Sequence, residues 1–201
     1  MVNKGELNRL KVTVIAEDTV AYESPYLGQH GVSFLLTAER DGVAKNVLVD
    51  VAQNPTALLE NMNRMQISLS CIDAVVLTHC HYDHTQGLTK VLKEIGKKEI
   101  AVVAHPDIFR PNFITDPYVR HVGVMDGDKK GDIEASGGTL YVTKDPLEVM
   151  PGLTTTGEVE RVTEFEEVGI KLFTIQHSRV KRDEMLDDIS LAANIKGKGV
   201  R

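Results

Sequence analysis

The sequence predicts an α/β fold in which helices pack on a β-sheet, and three observations predict it. β-rich apolar segments alternate with segments of helical spacing along residues 11–104. Turn residues separate them at the expected places. At 201 residues the chain is long enough for one sizeable core, and 42% hydrophobic with 26% charged residues is ordinary for a globular chain.

Residues 11–16 and 32–37 are rich in β-formers and read as strands. Arg40-Asp41-Gly42 supplies turn chemistry, so 46–50 reads as the returning strand of a hairpin. Pro55 suits a first helical turn, and Leu58, Leu59, Met62 and Met65 follow at helical spacing. A buried-looking strand at 73–78 runs into a His-rich loop. Leu88, Val91, Leu92 and Ile95 then mark a second amphipathic helix, closed by Gly96. Residues 100–104 form a further apolar strand. The region 106–138 is rich in Pro, Asp and Gly without a sustained period, and reads as a long functional loop or cap. Strands are expected at 139–143, 170–176 and 189–195. Lys196-Gly197-Lys198-Gly199 offers a turn after the last of these, and Val200-Arg201 begins a strand that does not continue, leaving 189–195 short of a partner.

A net charge of −6 argues against broad binding to nucleic acid or to an anionic membrane surface. No apolar run approaches the ~20 residues of a membrane span, and the start lacks the apolar stretch of a signal peptide. Two cysteines, Cys71 and Cys80, make no disulfide framework. The expectation is a cytoplasmic protein acting on a small molecule, with its oligomeric state open.

The loop His79-Cys80-His81-Tyr82-Asp83-His84 carries the chemistry. On extended backbone His79 and His81 point one way, while Cys80 and Tyr82 point elsewhere. Asp83 and His84 follow where the chain turns toward the next helix. Four donors from six residues thus converge at a strand end, a density that packing does not explain. Imidazole nitrogen and carboxylate oxygen suit zinc, with iron or manganese as substitutes.

The spacing H-x-H-x-D-H resembles the metallo-β-lactamase superfamily. That resemblance implies an αββα sandwich and one or two metal ions, with His79 and His81 on the first and Asp83 and His84 on the second. Leu48-Val49-Asp50 resembles the superfamily's strand ending in Asp, which makes Asp50 an orienter of a ligand His; a turn-forming or capping carboxylate is the alternative. His30-Gly31-Val32-Ser33, Ile72 to Thr78, Ala104-His105-Pro106-Asp107 and Thr156-Gly157-Glu158 resemble, in order, the branch that holds the archaeal dihydropterin-ribofuranosylaminobenzene-phosphate synthases. Members of that branch continue past Asp187-Asp188 into a strand ending in Gly-Cys-(Ser or Ala)-His, whose His completes the first metal site, and a later His helps complete the second. By this comparison residues 1–201 are one partial domain, a sandwich incomplete at its carboxyl end, with a cap-like insertion at 106–138 and weakened metal binding.

The resemblance implies a metallo-hydrolase that activates water against an ester or phosphoester, with Asp83 orienting the hydroxide. A synthase-type transferase and an inactive remnant or binding scaffold are the alternatives. Other residues weigh less. His177 follows a strand without ligand spacing. His105 and His121 could touch substrate in a cap. His30 reaches the site only by the branch resemblance. Cys80 reads as inert packing, and Arg179, Lys181 and Arg182 as a solvated charged face.

Overall fold

The computed structural model describes residues 5–166 and 168–200. In chain order its first strands are β1 (Arg9–Ala16), β2 (Ser33–Arg40), β3 (Val43–Val49), β4 (Ala74–Val76) and β5 (Ile100–Ala104). The later ones are β6 (Phe113–Ile114), β7 (Arg120–His121), β8 (Gly138–Val142), β9 (Glu148–Met150), β10 (Leu153–Thr155), β11 (Phe173–Gln176), β12 (Arg179–Arg182), β13 (Leu191–Ile195) and β14 (Gly199–Val200). The helices are α1 (Pro55–Arg64), α2 (Tyr82–Thr85), α3 (Leu88–Ile95) and α4 (Lys130–Ala135).

A six-stranded sheet in the order β1-β2-β3-β4-β5-β8 is the centre of the molecule. It is antiparallel from β1 to β3 and parallel from β3 onward. Its inner strands read as unbroken apolar runs because both faces are covered. Leu35, Leu48, Val75 and Val102 face Leu58 and Met62 of α1, Val91 and Leu92 of α3, and Ile133 of α4. Their neighbours Leu36, Val47, Val49, Val76 and Val103 face Met150, Leu153, Ile189 and Ala193 of a second sheet, β14-β13-β10-β9. Helix, sheet and sheet are three of the four layers of the αββα sandwich expected from the sequence.

The helix ends are fixed locally. Asn54 caps α1 by accepting from the Thr56 and Ala57 amides, ahead of Pro55. The start of α3 borrows its cap from afar: Asp128 accepts from the Gly87 and Thr89 amides. Gly96 ends α3 at φ 69°.

The structure revises three expectations. The stretch 106–138 divides in two: its first part supplies β6 and β7, whereas α4 in its second part buries Ile133 in the main core. β6 and β7 join β11 and β12 in a small sheet of order β12-β11-β6-β7, so this outlying layer is built from two distant segments. The strand expected at 170–176 begins only at Phe173, because the chain folds back on itself through the Leu172 amide to the Ile170 carbonyl. Finally, β13 does not lack partners: Leu153 pairs with Ala193 on one side, and Asn194 pairs with Val200 of β14 on the other. Arg201 lies outside the described residues. No helix among the described residues is long and apolar enough to cross a membrane.

Candidate metal centre

β3 and β4 run side by side, and the amide of Asp50 continues their pairing to the carbonyl of Val76. Asp50 therefore leaves β3 next to Thr78, where β4 gives way to the His-rich loop. Its carboxylate is 1% exposed and accepts three hydrogen bonds. They come from the Thr78 amide at 2.8 Å, the Thr78 hydroxyl at 2.7 Å and His84 Nδ1 at 2.8 Å. An ionised carboxylate only accepts, so His84 holds its proton on Nδ1. The Thr78 hydroxyl spends its one hydrogen on Asp50, so at 3.0 Å from His79 Nδ1 it accepts, and His79 also is protonated on Nδ1. One carboxylate thus sets both tautomers and leaves the Nε2 lone pair of each ring available. Asp50 does this from a positive φ of 54°, a conformation that carries strain.

The three loop imidazoles pack against one another. The ring centroids of His79 and His84 are 4.0 Å apart, and those of His79 and His81 are 4.8 Å apart. Asp83 Oδ2 stands 3.6 Å from His84 Nε2. Burial, then the neighbouring His84 and His81, push the pKa of His79 down to about 2, so it is a neutral donor at any working pH. Burial also lowers His81, against the pull of Asp83 and Asp187. For His84 burial acts in the same direction, but the hydrogen bond to Asp50 and the charges of Asp50, Asp83 and Asp188 outweigh it, and its pKa lies above the ordinary value.

Whether these residues fit a metal ion is decided by their donor chemistry. His81 Nε2 is buried without an aligned hydrogen bond, and the Asn112 side chain, whose Oδ1 is likewise unsatisfied, acts on the same ring. Imidazoles sharing a zinc ion at bonds of roughly 2.0–2.1 Å place their centroids roughly 5 Å apart. The loop rings are slightly closer than that. This agrees with the finding that, among the described residues, no three His, Cys, Asp or Glu donors are arranged around one centre. The donor types and the tautomers fit a transition-metal ion, while the present ring packing is not itself a ligand set.

Behind the loop lies a buried ion network that the sequence did not reveal. Asp187, fully buried, accepts from the Cys80 amide at 2.7 Å and lies 2.8 Å from Arg110 Nη2. The Arg110–Asp187 contact is an ion pair whose alignment falls short of a hydrogen bond, since Asp187 Oδ1 has no aligned donor. Arg110 also forks onto Asp183 at 2.6 and 3.0 Å, and Asn112 and the Met185 amide donate to the same carboxylate. Burial opposes ionisation of Arg110, but its hydrogen bonds to Asp183 and the adjacent Asp187 carboxylate hold its pKa above its ordinary value. Burial likewise works against ionised Asp183, yet Arg110 and the Met185 amide keep its pKa low. Cys80 is fully buried in the main core, and burial with Asp187 beside it raises its thiol pKa well above 9.0.

The other sequence candidates scatter. His30 does reach the loop, with Nε2 3.4 Å from Asp83 Oδ2. His105 is buried and bonded through Nε2 to Glu158 at 3.0 Å, with Lys144 on the same carboxylate, so two of the branch segments quoted from the sequence meet here as a structural clasp. His121 bonds to the Val124 carbonyl, and His177 occupies the exposed β11–β12 turn. Arg179, Lys181 and Arg182 lie on exposed β12, with Arg182 engaged by the Val168 and Ile170 carbonyls. A cavity of about 570 Å³ between the two large sheets, lined by Leu10, Phe34, Leu36 and Leu191, opens onto Asp50, His79, His84 and Asp188.

Comparison with known proteins bears on this arrangement. A family model described as the metallo-beta-lactamase superfamily matches residues 28–169. The chain is 38% identical over 195 residues to the 7,8-dihydropterin-6-methyl-4-(β-D-ribofuranosyl)-aminobenzene-5'-phosphate synthase of Methanocaldococcus jannaschii, covering 96% of this chain and 66% of that protein. It is 29% identical over 181 residues to the uncharacterized protein MJ0448 of the same organism, covering 89% and 64%. The crystal structure of Tm1679, described as a metal-dependent hydrolase of the beta-lactamase superfamily, superposes with a TM-score of 0.72 at 16% identity, over 96% of this chain and 64% of that one, which speaks to the fold alone. The chain spans about two thirds of the length of the curated relatives it matches.

Proposed function

We propose, since the chain belongs to the metallo-β-lactamase superfamily, that it is a metal-dependent enzyme hydrolysing a small ester or phosphoester. The observation that carries this reading is the His loop itself. Two imidazoles are held with the proton on Nδ1, and a third has a buried Nε2 without an aligned hydrogen bond. His79, His81, Asp83 and His84 would hold one or two ions, zinc first and manganese or iron as substitutes. When bound, such an ion supplies Lewis acidity and a water of lowered pKa. The residues themselves do the rest. Asp50 fixes the tautomer of the His84 ring directly and that of the His79 ring through Thr78. Asp83, whose carboxylate lies 3.6 Å from His84 Nε2, would orient the nucleophile. The largely apolar cavity beside Asp50 and His79 gives a substrate an approach to the loop.

A second reading is favoured by the 38% identity to a protein named as a synthase: group transfer to an aminobenzene riboside phosphate rather than to water. The same side chains serve either chemistry, because superfamily membership does not fix the reaction. The test is direct. The purified chain, supplied with zinc or manganese, is assayed on nitrophenyl esters, on phosphodiesters, and on an aminobenzene riboside phosphate with a pterin donor, beside its His81→Ala variant. Metal-dependent turnover that vanishes in His81→Ala supports the reading, and the substrate consumed decides between the two chemistries. Stoichiometric metal uptake without turnover in any arm would leave a binding scaffold.

A further inference from the structure

We propose that His30 is a positioning residue for Asp83, reaching the His-rich loop from a segment more than fifty residues earlier in the chain. Its Nε2 lies 3.4 Å from Asp83 Oδ2, the same oxygen that stands 3.6 Å from His84 Nε2. A carboxylate oxygen has two lone-pair directions. With one turned toward the His84 side, the His30 ring nitrogen stands beside the other at ion-pair distance and limits rotation of the carboxylate.

The contact is built, not incidental. The segment carrying His30 is pinned on both sides. Asn61, itself 2% exposed, accepts from the Leu27 amide and donates to the Leu27 and Ile15 carbonyls. The Gln29 amide bonds to the Glu17 carbonyl, and the Gln53 amide to the His30 carbonyl. Gly31, at φ 83°, then lies against Asp83: a Cβ built there would stand 1.7 Å from the Asp83 carbonyl oxygen. Only glycine permits this approach, in conformation and in space. The outer face of the imidazole is half-exposed, with Asp18 3.5 Å from Nδ1 and the Tyr82 ring at 6.3 Å. His30 is thus a rim residue whose inner nitrogen meets the loop.

The role assumes the metal-binding loop proposed above, and two measurements separate the claims. In metal-free protein with labelled histidines, long-range proton–nitrogen spectra should show the His30 ring signals moving in Asp83→Ala. In cobalt(II) titrations, His30→Ala should weaken binding about tenfold, the lower end of what removing an outer partner of a ligand costs. His30→Gln, which keeps an N–H at similar reach, should recover most of that loss, and the cobalt absorption bands should keep their positions throughout. His30 signals indifferent to Asp83→Ala would overturn the proposal. So would unchanged cobalt affinity in His30→Ala. A glutamine that fails to rescue, with shifted bands, would make His30 a ligand and overturn its positioning role. If the unaltered chain takes up no cobalt, the metal reading falls, while the imidazole spectra still decide the contact.

Discussion

Replacing Arg110 by Met tests the buried network behind the His-rich loop. The guanidinium bridges Asp183, 4% exposed, and Asp187, 0% exposed, through contacts of 2.6, 3.0 and 2.8 Å. Methionine fills much of the same volume, so the loss is mainly of charge. Breaking a buried pair from one side costs about 3–5 kcal/mol, because the surviving charge stays buried and unpaired. Here two carboxylates survive, which places the expected loss at about 4–5 kcal/mol, a large share of the roughly 5–15 kcal/mol of a domain. The sign with pH follows from Asp183. Its folded pKa is lowered, so the native pairing contributes stability above the unfolded carboxylate pKa and loses it as pH falls through the folded value. In Arg110→Met the unpaired carboxylates take up protons more readily, so the deficit shrinks on acidification. Urea unfolding of both chains at pH 7.5 and 5 measures this, with Arg110→Met/Asp187→Asn completing a double-mutant cycle. A deficit below about 1 kcal/mol, equal at both pH values, would refute the view that the Arg110 charge holds these two buried carboxylates in place.

Asp50→Asn should keep the fold by circular dichroism but weaken zinc binding about 10–100-fold in a chelator competition, because one acceptor of the His84 and Thr78 donors becomes a donor; undiminished affinity would dissociate Asp50 from the site. His79, with its pKa pushed down to about 2, resists protonation in the fold but not in the unfolded chain. The metal-free chain should therefore lose stability relative to His79→Gln as pH falls below about 6.5, and parallel urea midpoints from pH 7.5 to 5 would contradict that. Native protein should react with a thiol reagent at the partly exposed Cys71 only, with buried Cys80 reporting after urea is added; two fast-reacting thiols in the native state would count against the packing of Cys80.

The parts of the molecule legible in the sequence are those fixed by local period. The helix at Leu88, Val91, Leu92 and Ile95 and the apolar strands at 46–50, 73–78 and 100–104 all stand within a few residues of their expected places. So does the crowding of His79, His81, Asp83 and His84, whose signal is sequence density. What escaped was long-range. Nothing near Arg110 or Asn112 announces a partner at Asp183, some seventy residues away, and Asp187 served the sequence reading only as a landmark before the last strand. Thr78 escaped because its role appears only once Asp50 is seen to take its hydroxyl proton. The small outlying sheet escaped because β6 and β7 are two residues each, below any detectable alternation.

The segment leading into β13 meets the His-rich loop through two hydrogen bonds on either side of His79: the Ile189 amide donates to the Thr78 carbonyl at 2.9 Å, and the Cys80 amide donates to the Asp187 carboxylate at 2.7 Å. A loop fastened in this way does not open without loosening the segment that leads into β13. Local unfolding of the two regions is therefore a single event, and whatever stabilises one is felt in the other. An ion held by His79 and His81 would slow amide exchange along Leu191–Ile195, so a strand more than a hundred residues on from the loop becomes a reporter of its occupancy.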